Sequence, residues 1–477
     1  MPRRRRARRA LLACAVVAVC GACSSGSGGG SHAGSTTTAP TTTTTRITPP
    51  TVTPPTVTRP TVPSGPVVPV PASIDPTGRA DVTNALQRFL ASVPSGREIL
   101  FRKAARYRVE GTLFLRDRHR LTIDGNGAIV YATTRGKPDR AQWWIKGGAH
   151  IIFRDLRVRG ANPNAGTGDS AYVAKLETQH GFRLEGVNGA ELDRVQVNDV
   201  YGDFVYIGRG KDRIPCRNIW VHDSQFSRNG RQGVAVTAAT NVIIERNHLS
   251  QTRRSTFDLE PDARSALVSN IFVLNNVVGP GRLLFLASHG RGPVNNVVIS
   301  GNRLLGHSLT IDSMAPDHSR RSNWVVVDNT SNVPVQSRPM RFFGIDGLAV
   351  RDNRQQVTGG EPVVVLTDVC GAQISGNQFG SAPIRESTAH CDAPLVVPAV
   401  PAMAGRGKTT PGPPVSTSIG PSSSVAPSSV GRATAPVTHP TAPGSGGGFD
   451  LADWIFVALG ACLLGAVALT IRARRRR

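Results

Sequence analysis

Asn241-Val-Ile-Ile-Glu-Arg-Asn247 is followed by Asn270-Ile-Phe-Val-Leu-Asn-Asn276, Asn296-Val-Val-Ile-Ser-Gly-Asn302 and Asn323-Trp-Val-Val-Val-Asp-Asn329. Weaker copies stand at Asn218-Ile-Trp-Val-His-Asp-Ser224, Gly347-Leu-Ala-Val-Arg-Asp-Asn353 and Gly371-Ala-Gln-Ile-Ser-Gly-Asn377. From Asn247 to Asn377 the closing Asn recurs at steps of 24 to 29 residues, a period typical of solenoids. Each unit is a short β-branched run ending in an Asn- or Gly-bearing turn, which gives one such strand per coil of a parallel β-helix. Asn suits a corner because it tolerates left-handed backbone and hydrogen-bonds its neighbours. The repeated Asn residues are therefore read as ladders that hold the fold, and not as catalytic groups.

Working outward, much of the 477-residue chain cannot pack. Residues 24–72 are Gly/Ser- and then Thr/Pro-rich, and residues 396–449 are rich in Pro, Ser, Thr and Gly. Such stretches lack the apolar side chains that offset ordering entropy and read as disordered, Pro-stiffened stalks. Residues 73–395 remain for one solenoid domain of about ten coils. The net charge of +24 is concentrated at the ends, with six arginines among the first nine residues and five after Ile471. Within 73–395, 40 Lys and Arg stand against 30 Asp and Glu. That excess suits an anionic polymer or envelope surface. Nucleic acid is set aside, since no zinc, helix-turn-helix or RNA-recognition motif is visible.

The ends read as export signals. Residues 1–23 combine an Arg-rich start with a short apolar run, a secretory signal peptide. Its close, Val19-Cys-Gly-Ala-Cys23-Ser-Ser, resembles a bacterial lipobox with Cys23 as the lipidated residue. Residues 450–471 hold the apolar run Trp454–Ile471, and 472–477 form a basic tail. Together they read as a transmembrane helix with its C-terminus in the cytoplasm and the solenoid outside. Cys370 and Cys391 could form one disulfide at the C-terminal end, which would leave Cys216 unpaired.

The domain opens with a helical pattern, Val82, Leu86, Phe89 and Leu90 sharing a face, with Asp81 as a cap and Pro94-Ser-Gly96 as a stop. Strand-like runs at Glu98–Phe101, Tyr107–Val109, Gly111–Leu115 and Leu121–Gly127 follow. This order resembles the N-terminal cap and first coils of the pectate-lyase-like superfamily, and specifically its right-handed β-helix repeat proteins of bacteria. The resemblance implies an all-β fold, a right-handed parallel β-helix closed by an N-terminal capping helix. It also implies a site on an outward strand face. The polygalacturonase motifs are not matched: Gly202-Asp203-Phe204 has one Asp where that family has two.

Three segments break the plain repeat together: Val200–Gly208, Asn229–Val236 and Arg254–Asp262. Asp203 precedes Arg231 by 28 residues, and Arg231 precedes Asp258 by 27, one coil each. They are expected to stack about 4.8 Å apart, with Asp258 and Glu260 on one strand face. Asp203, Arg231, Asp258 and Glu260 are the candidate catalytic residues. In glycoside hydrolysis, Asp258 or Glu260 would be the acid and Asp203 its opposite partner. In uronate elimination, Ca²⁺ held by the carboxylates or Arg231 would bind the substrate carboxylate. Tyr201, Tyr206, Gln232 and His289 are candidate contacts to sugar. The competing reading is a structural stack in which Arg231 neutralises Asp203 and Asp258. The expected function is that of a membrane-anchored polysaccharide lyase, hydrolase or epimerase; the alternative is a non-catalytic surface protein that binds glycan or another cell.

Overall fold

A computed structural model describes residues 66–315, 319–335, 340–358, 362–380, 384–387 and 394–401. The signal segment with Cys23, most of both stalks and the span Trp454–Ile471 lie outside the described residues. Among those described, no helix is long and apolar enough to cross a membrane.

The chain winds into a right-handed solenoid of about eleven turns, one more than the repeat suggested. Its strands form three parallel sheets of 12, 10 and 11 strands. They are called here the first, second and third walls, in the order the chain meets them within a coil. One complete coil runs Cys216–His222 on the first wall, Gln225–Asn229 on the second and Val234–Val236 on the third. The Asn-rich sentence is the first-wall strand with the two corners that bound it. Its opening Asn is left-handed, with φ between 55° and 59° at Asn218, Asn241, Asn270, Asn296 and Asn323. These amides bond side chain to side chain up the stack, Asn241 Nδ2 to Asn218 Oδ1 at 3.0 Å and Asn296 Nδ2 to Asn270 Oδ1 at 2.8 Å. The closing Asn lies inside. Asn247, Asn276, Asn302, Asn329 and Asn353 are fully buried. Each Oδ1 from Asn276 onward accepts both the main-chain N–H and the side-chain N–H of the Asn below, as Asn302 does from Asn276 at 3.0 Å each.

Between the ladders, alternate residues fill the lumen. On the third wall Phe182, Val205, Val234, Phe257, Leu286 and Ile311 stack in register and are wholly buried. Each contributes about 1.5–3 kcal/mol by leaving water. Gly181-Phe-Arg-Leu-Glu-Gly186, which reads as an extra coil, is such a third-wall strand, Phe182–Glu185. At the N-terminal end the helix Thr83–Ser92 buries Leu86 and Leu90 against the lumen. Asp81 Oδ1 accepts Thr83 N–H at 3.0 Å one residue ahead of the N-cap. A strand Val67–Pro69, ahead of the expected start at 73, pairs with Glu98–Leu100 at the edge of the first wall, where proline costs no ladder bond.

The first wall is apolar outside as well. Trp220, Ile243, Phe272, Val298, Val325 and Ala349 form an outer row of buried side chains. Leu395 and Val400 of the segment 394–401 pack on it, and Val396 N–H donates to Asn323 Oδ1 at 3.1 Å. Cys216 is a buried free thiol, pushed up to about 12 by burial. Cys370 is disulfide-bonded; its expected partner Cys391 lies outside the described residues.

Candidate active site

Outward residues of the third wall share one register row: Phe114, Trp144, Arg183, Tyr206, Ala235, Asp258, Ala287, Asp312 and Arg341. The N-terminal part of the row is aromatic and cationic. Phe114 and Trp144 lie 5.4 Å apart, and the Arg183 guanidinium sits 4.0 Å from the Trp144 ring and 5.6 Å from Tyr206. The C-terminal part alternates acids with alanines. Asp258 and Asp312 are two rungs apart, about 10 Å, with only Ala287 between them.

Phe257 and Leu259 point into the lumen, so Asp258 points out. Neighbouring side chains nevertheless cover Asp258, which is only 3 % exposed. Its carboxyl is held well above the usual range, first by burial and then by Glu260, against the pull of Arg231. Glu260 is half-buried and faces outward two residues on, and its charge beside Asp258 disfavours a second negative charge there.

Asp312 is the opposite case. Burial raises its pKa, but the hydrogen bond and charge of His289 and the charge of Arg341 outweigh burial and hold it below the usual range. His289 Nε2 stands 3.2 Å from Asp312 Oδ2, and Arg341 pairs with the same oxygen. His289 lies one rung beyond Glu260, two residues on from Ala287.

The expected three-coil stack forms only in part: Asp203 and Arg231 pair in the corner that precedes this wall, whereas Asp258 stands on the wall in register with Ala235 and Tyr206. Asp203 has no exposed surface. Both its oxygens take Arg231 Nη1, at 2.9 and 3.0 Å, and Oδ1 also takes Gln232 N–H at 2.9 Å. Burial lifts the Asp203 carboxyl to about 6, with Arg231 and the Gln232 N–H opposing. Burial disfavours the charge on Arg231, yet Asp203, Asp258, Glu177 and Glu260 surround it and keep it protonated. Arg231 thus occupies the Asp203 oxygens that were expected to help hold Ca²⁺.

Of the residues expected to touch sugar, Tyr206 and His289 are on the outward face. Tyr201 and Gln232 are buried; the Gln232 Oε1 accepts Ser255 N–H at 2.8 Å and pins the corner instead. His180 and Glu177 are site residues with no signal in the repeat. His180 is neutral, its pKa driven well down by burial and then by Arg231 and Arg183. Its Nδ1 accepts Asp203 N–H at 3.0 Å, and its ring stacks on Tyr206 at 5.0 Å. Glu177 pairs with Arg231 at 3.4 Å and accepts Tyr172 OH at 2.8 Å. Both come from the excursion 160–180, which Arg253 and Arg282 hold through Asp169 at 3.0 and 2.7 Å. A separate cluster with the geometry to coordinate a divalent cation lies on the first wall, at Asp193, His222 and Asp223.

The family described as right handed beta helix region matches residues 144–337. No curated protein matches the chain. Among solved structures, a family 28 exopolygalacturonase of Yersinia enterocolitica is similar at 12 % identity and a TM-score of 0.45, over 69 % of this chain and 79 % of that one. An endo-xylogalacturonan hydrolase of Aspergillus tubingensis is similar at 12 % identity and a TM-score of 0.48, over 69 % of this chain and 100 % of its own. The surface protein and adhesin PfbA of Streptococcus pneumoniae is similar at 12 % identity and a TM-score of 0.44, over 66 % and 97 %.

Proposed function

We propose that this chain, a right-handed parallel β-helix protein related to the pectate-lyase-like superfamily, cleaves a polysaccharide on the outward face of its third wall. The observation that carries the reading is the placement of Asp258 and Asp312 on one outward row with only Ala287 between them, the first with its carboxyl pushed above the usual range and the second below it. Neighbouring acids pushed apart in this way are how one site supplies both an acid and a base near neutral pH. Asp258 keeps a proton in reserve and Glu260, its outward partner, passes it to the glycosidic oxygen. Asp312, flanked by His289 and Arg341, takes the proton of the attacking water. Arg231 and Asp203 position the pair and do not touch sugar. Trp144 and Tyr206 offer ring faces to neighbouring sugars, and Arg183 between them suits an acidic residue of the chain.

The domain works outside the cell in this reading. Residues 1–23 direct export, Cys23 carries lipid, and 450–471 anchor the chain beyond a stalk that holds the solenoid off the membrane.

The test is a panel of acidic and neutral glycans incubated with the purified protein and with Asp258→Asn and Glu260→Gln. Cleavage is expected to fall by about 100-fold or more in each variant, with glycan affinity retained. New reducing ends without ultraviolet absorbance mark hydrolysis, whereas an unsaturated, absorbing product marks elimination at a uronate. A second reading, binding without cleavage, is favoured by the saturation of Asp312 by His289 and Arg341. It is the correct one if wild type and Asp258→Asn bind the same glycan and neither cuts it.

A further inference from the structure

We propose that Asp193, His222 and Asp223 on the first wall bind one divalent metal ion of the zinc or manganese class, separately from the glycan face. His222 Nδ1 is 2.7 Å from Asp223 Oδ2 and 3.6 Å from Asp193 Oδ1, and the three ligand atoms lie within 4.8 Å of one another. Asp193 supplies an independent sign that something is missing. Its side chain is 12 % exposed, yet its Oδ1 is buried, turned toward His222 and without a hydrogen-bond partner. Leaving a buried carboxylate oxygen bare is costly, and a cation between Oδ1 and His222 removes the cost.

The surroundings are those of a ligating histidine. The other ring nitrogen, Nε2, sits 3.2 Å from Glu191 Oε1, the carboxylate–histidine arrangement that fixes a metal-binding tautomer. Trp220 stacks on the ring with centroids 3.6 Å apart, and its Nε1 donates to Glu245 Oε1 at 3.0 Å. Arg194 pairs with Asp193 Oδ2, and Arg246 pairs with Asp223 and Glu245. On binding, the ion replaces the contact between Nδ1 and Asp223.

The donor set decides the class of metal. One imidazole with two carboxylates suits a four-coordinate zinc or a manganese ion completed by water. Ca²⁺ prefers six to eight oxygens. Asp193 and His222 are register partners on adjacent rungs. The ion therefore staples the two coils that carry Asp203 and Arg231.

The experiment uses the full chain, purified in detergent without a polyhistidine tag and stripped with chelator, then titrated with Zn²⁺, Mn²⁺ and Ca²⁺ by calorimetry and thermal melting. One Zn²⁺ or Mn²⁺ per chain is expected, with a rise in melting temperature. His222→Gln and Asp193→Asn are expected to abolish both effects, Glu191→Gln to weaken binding by about 10- to 100-fold, and Glu260→Gln to change neither. Melting of the metal-free variants near the metal-free wild type shows that they are folded. Absence of binding, or binding that survives His222→Gln, overturns the proposal. So does binding that is lost only in Glu260→Gln, which would place the ion on the third wall. Glycan cleavage is not the readout, so failure here leaves the glycan reading untouched.

Discussion

Two polar stacks run through this solenoid, and they obey different rules. The inner ladder from Asn247 to Asn377 uses one neutral residue in every coil. Each amide both donates and accepts, so each rung satisfies the next and the pattern extends without limit. The stack Asp203–Arg231–Asp258 alternates sign, and so it cannot be repeated indefinitely. It ends in Asp258, whose Oδ2 finds no hydrogen-bond donor. A self-complementary ladder stabilises a fold, whereas a stack that leaves a frustrated acid at its end stores chemistry.

The sharpest way to test that contrast is Arg231→Met. It strands the buried Asp203 and removes the charge that restrains Asp258. Breaking one partner of a buried pair costs about 3–5 kcal/mol, and urea unfolding should show it. Arg231→Met combined with Asp203→Leu should recover much of that loss. If the single variant is as stable as wild type, the corner stack is ornamental and the positioning role assigned to it fails.

Asn302→Ala attacks the other stack. It removes the acceptor for both N–H groups of Asn276 and leaves them buried. A loss of about 2–3 kcal/mol is expected by denaturant melts, with glycan cleavage by the folded fraction unchanged. A selective loss of cleavage at unchanged stability would blur the division between the two stacks.

What the sequence shows follows the same division. Asn-rich coils after Asn218 are legible because a neutral ladder demands the same residue at the same place. The N-terminal coils are not, because the same left-handed corner is filled by Arg120 at φ 49°, His150 at φ 58° and Gly189 at φ 85°. Backbone geometry repeats there while the letters do not, and the coil count came out one short. The spacing of Asp203, Arg231 and Asp258 was enough to predict contact between Asp203 and Arg231. It could not show that Asp203 lies ahead of its strand, in a corner, where its side chain is sealed. Tyr201 is misplaced for the same reason. His180 and Glu177 reach the site from an excursion with no period. Asp312 is legible as a later-coil candidate: Ile311-Asp-Ser313 repeats the pattern of Phe257-Asp-Leu259, an acid between two inward side chains.

The acids of the charged stack also make it pH-sensitive, which the amide ladder is not. Asp203 titrates near 6 when folded, above its ordinary value of 3.8. As pH rises from about 4, the unfolded chain releases this proton first, so the folded state binds more protons and stability falls. The fall continues until pH passes about 6 and then levels off for this group, by an amount on the order of 3 kcal/mol. Asp258 extends it in the same direction at higher pH; Asp312, with its lowered pKa, loses stability only as pH falls. Chemical denaturation between pH 4 and 7 should show the slope, and Asp203→Asn should flatten its lower part. A wild-type curve that rises over this window would mean that ion pairing with Arg231 outweighs burial.

The smallest expected effect separates backbone from side chain within the outer ladder. Asn270 donates to Asn241 Oδ1 at 2.9 Å and accepts from Asn296 at 2.8 Å, at φ 57°. Asn270→Ala loses both bonds and keeps a β-carbon in left-handed backbone without the amide that makes Asn tolerant of it. Asn270→Gly loses the bonds but keeps the conformation, as Gly347 already does at φ 77° in the position opposite Asn323. Glycine is therefore expected to be the milder change, by about 0.5–1 kcal/mol, although it is the smaller residue and the looser one in the unfolded chain. Both sites are half-exposed, so water can replace the lost amides and neither variant should approach Asn302→Ala. If alanine proves the milder, the corner is held by its hydrogen bonds, and the left-handed turn is a consequence of the ladder rather than the condition for it.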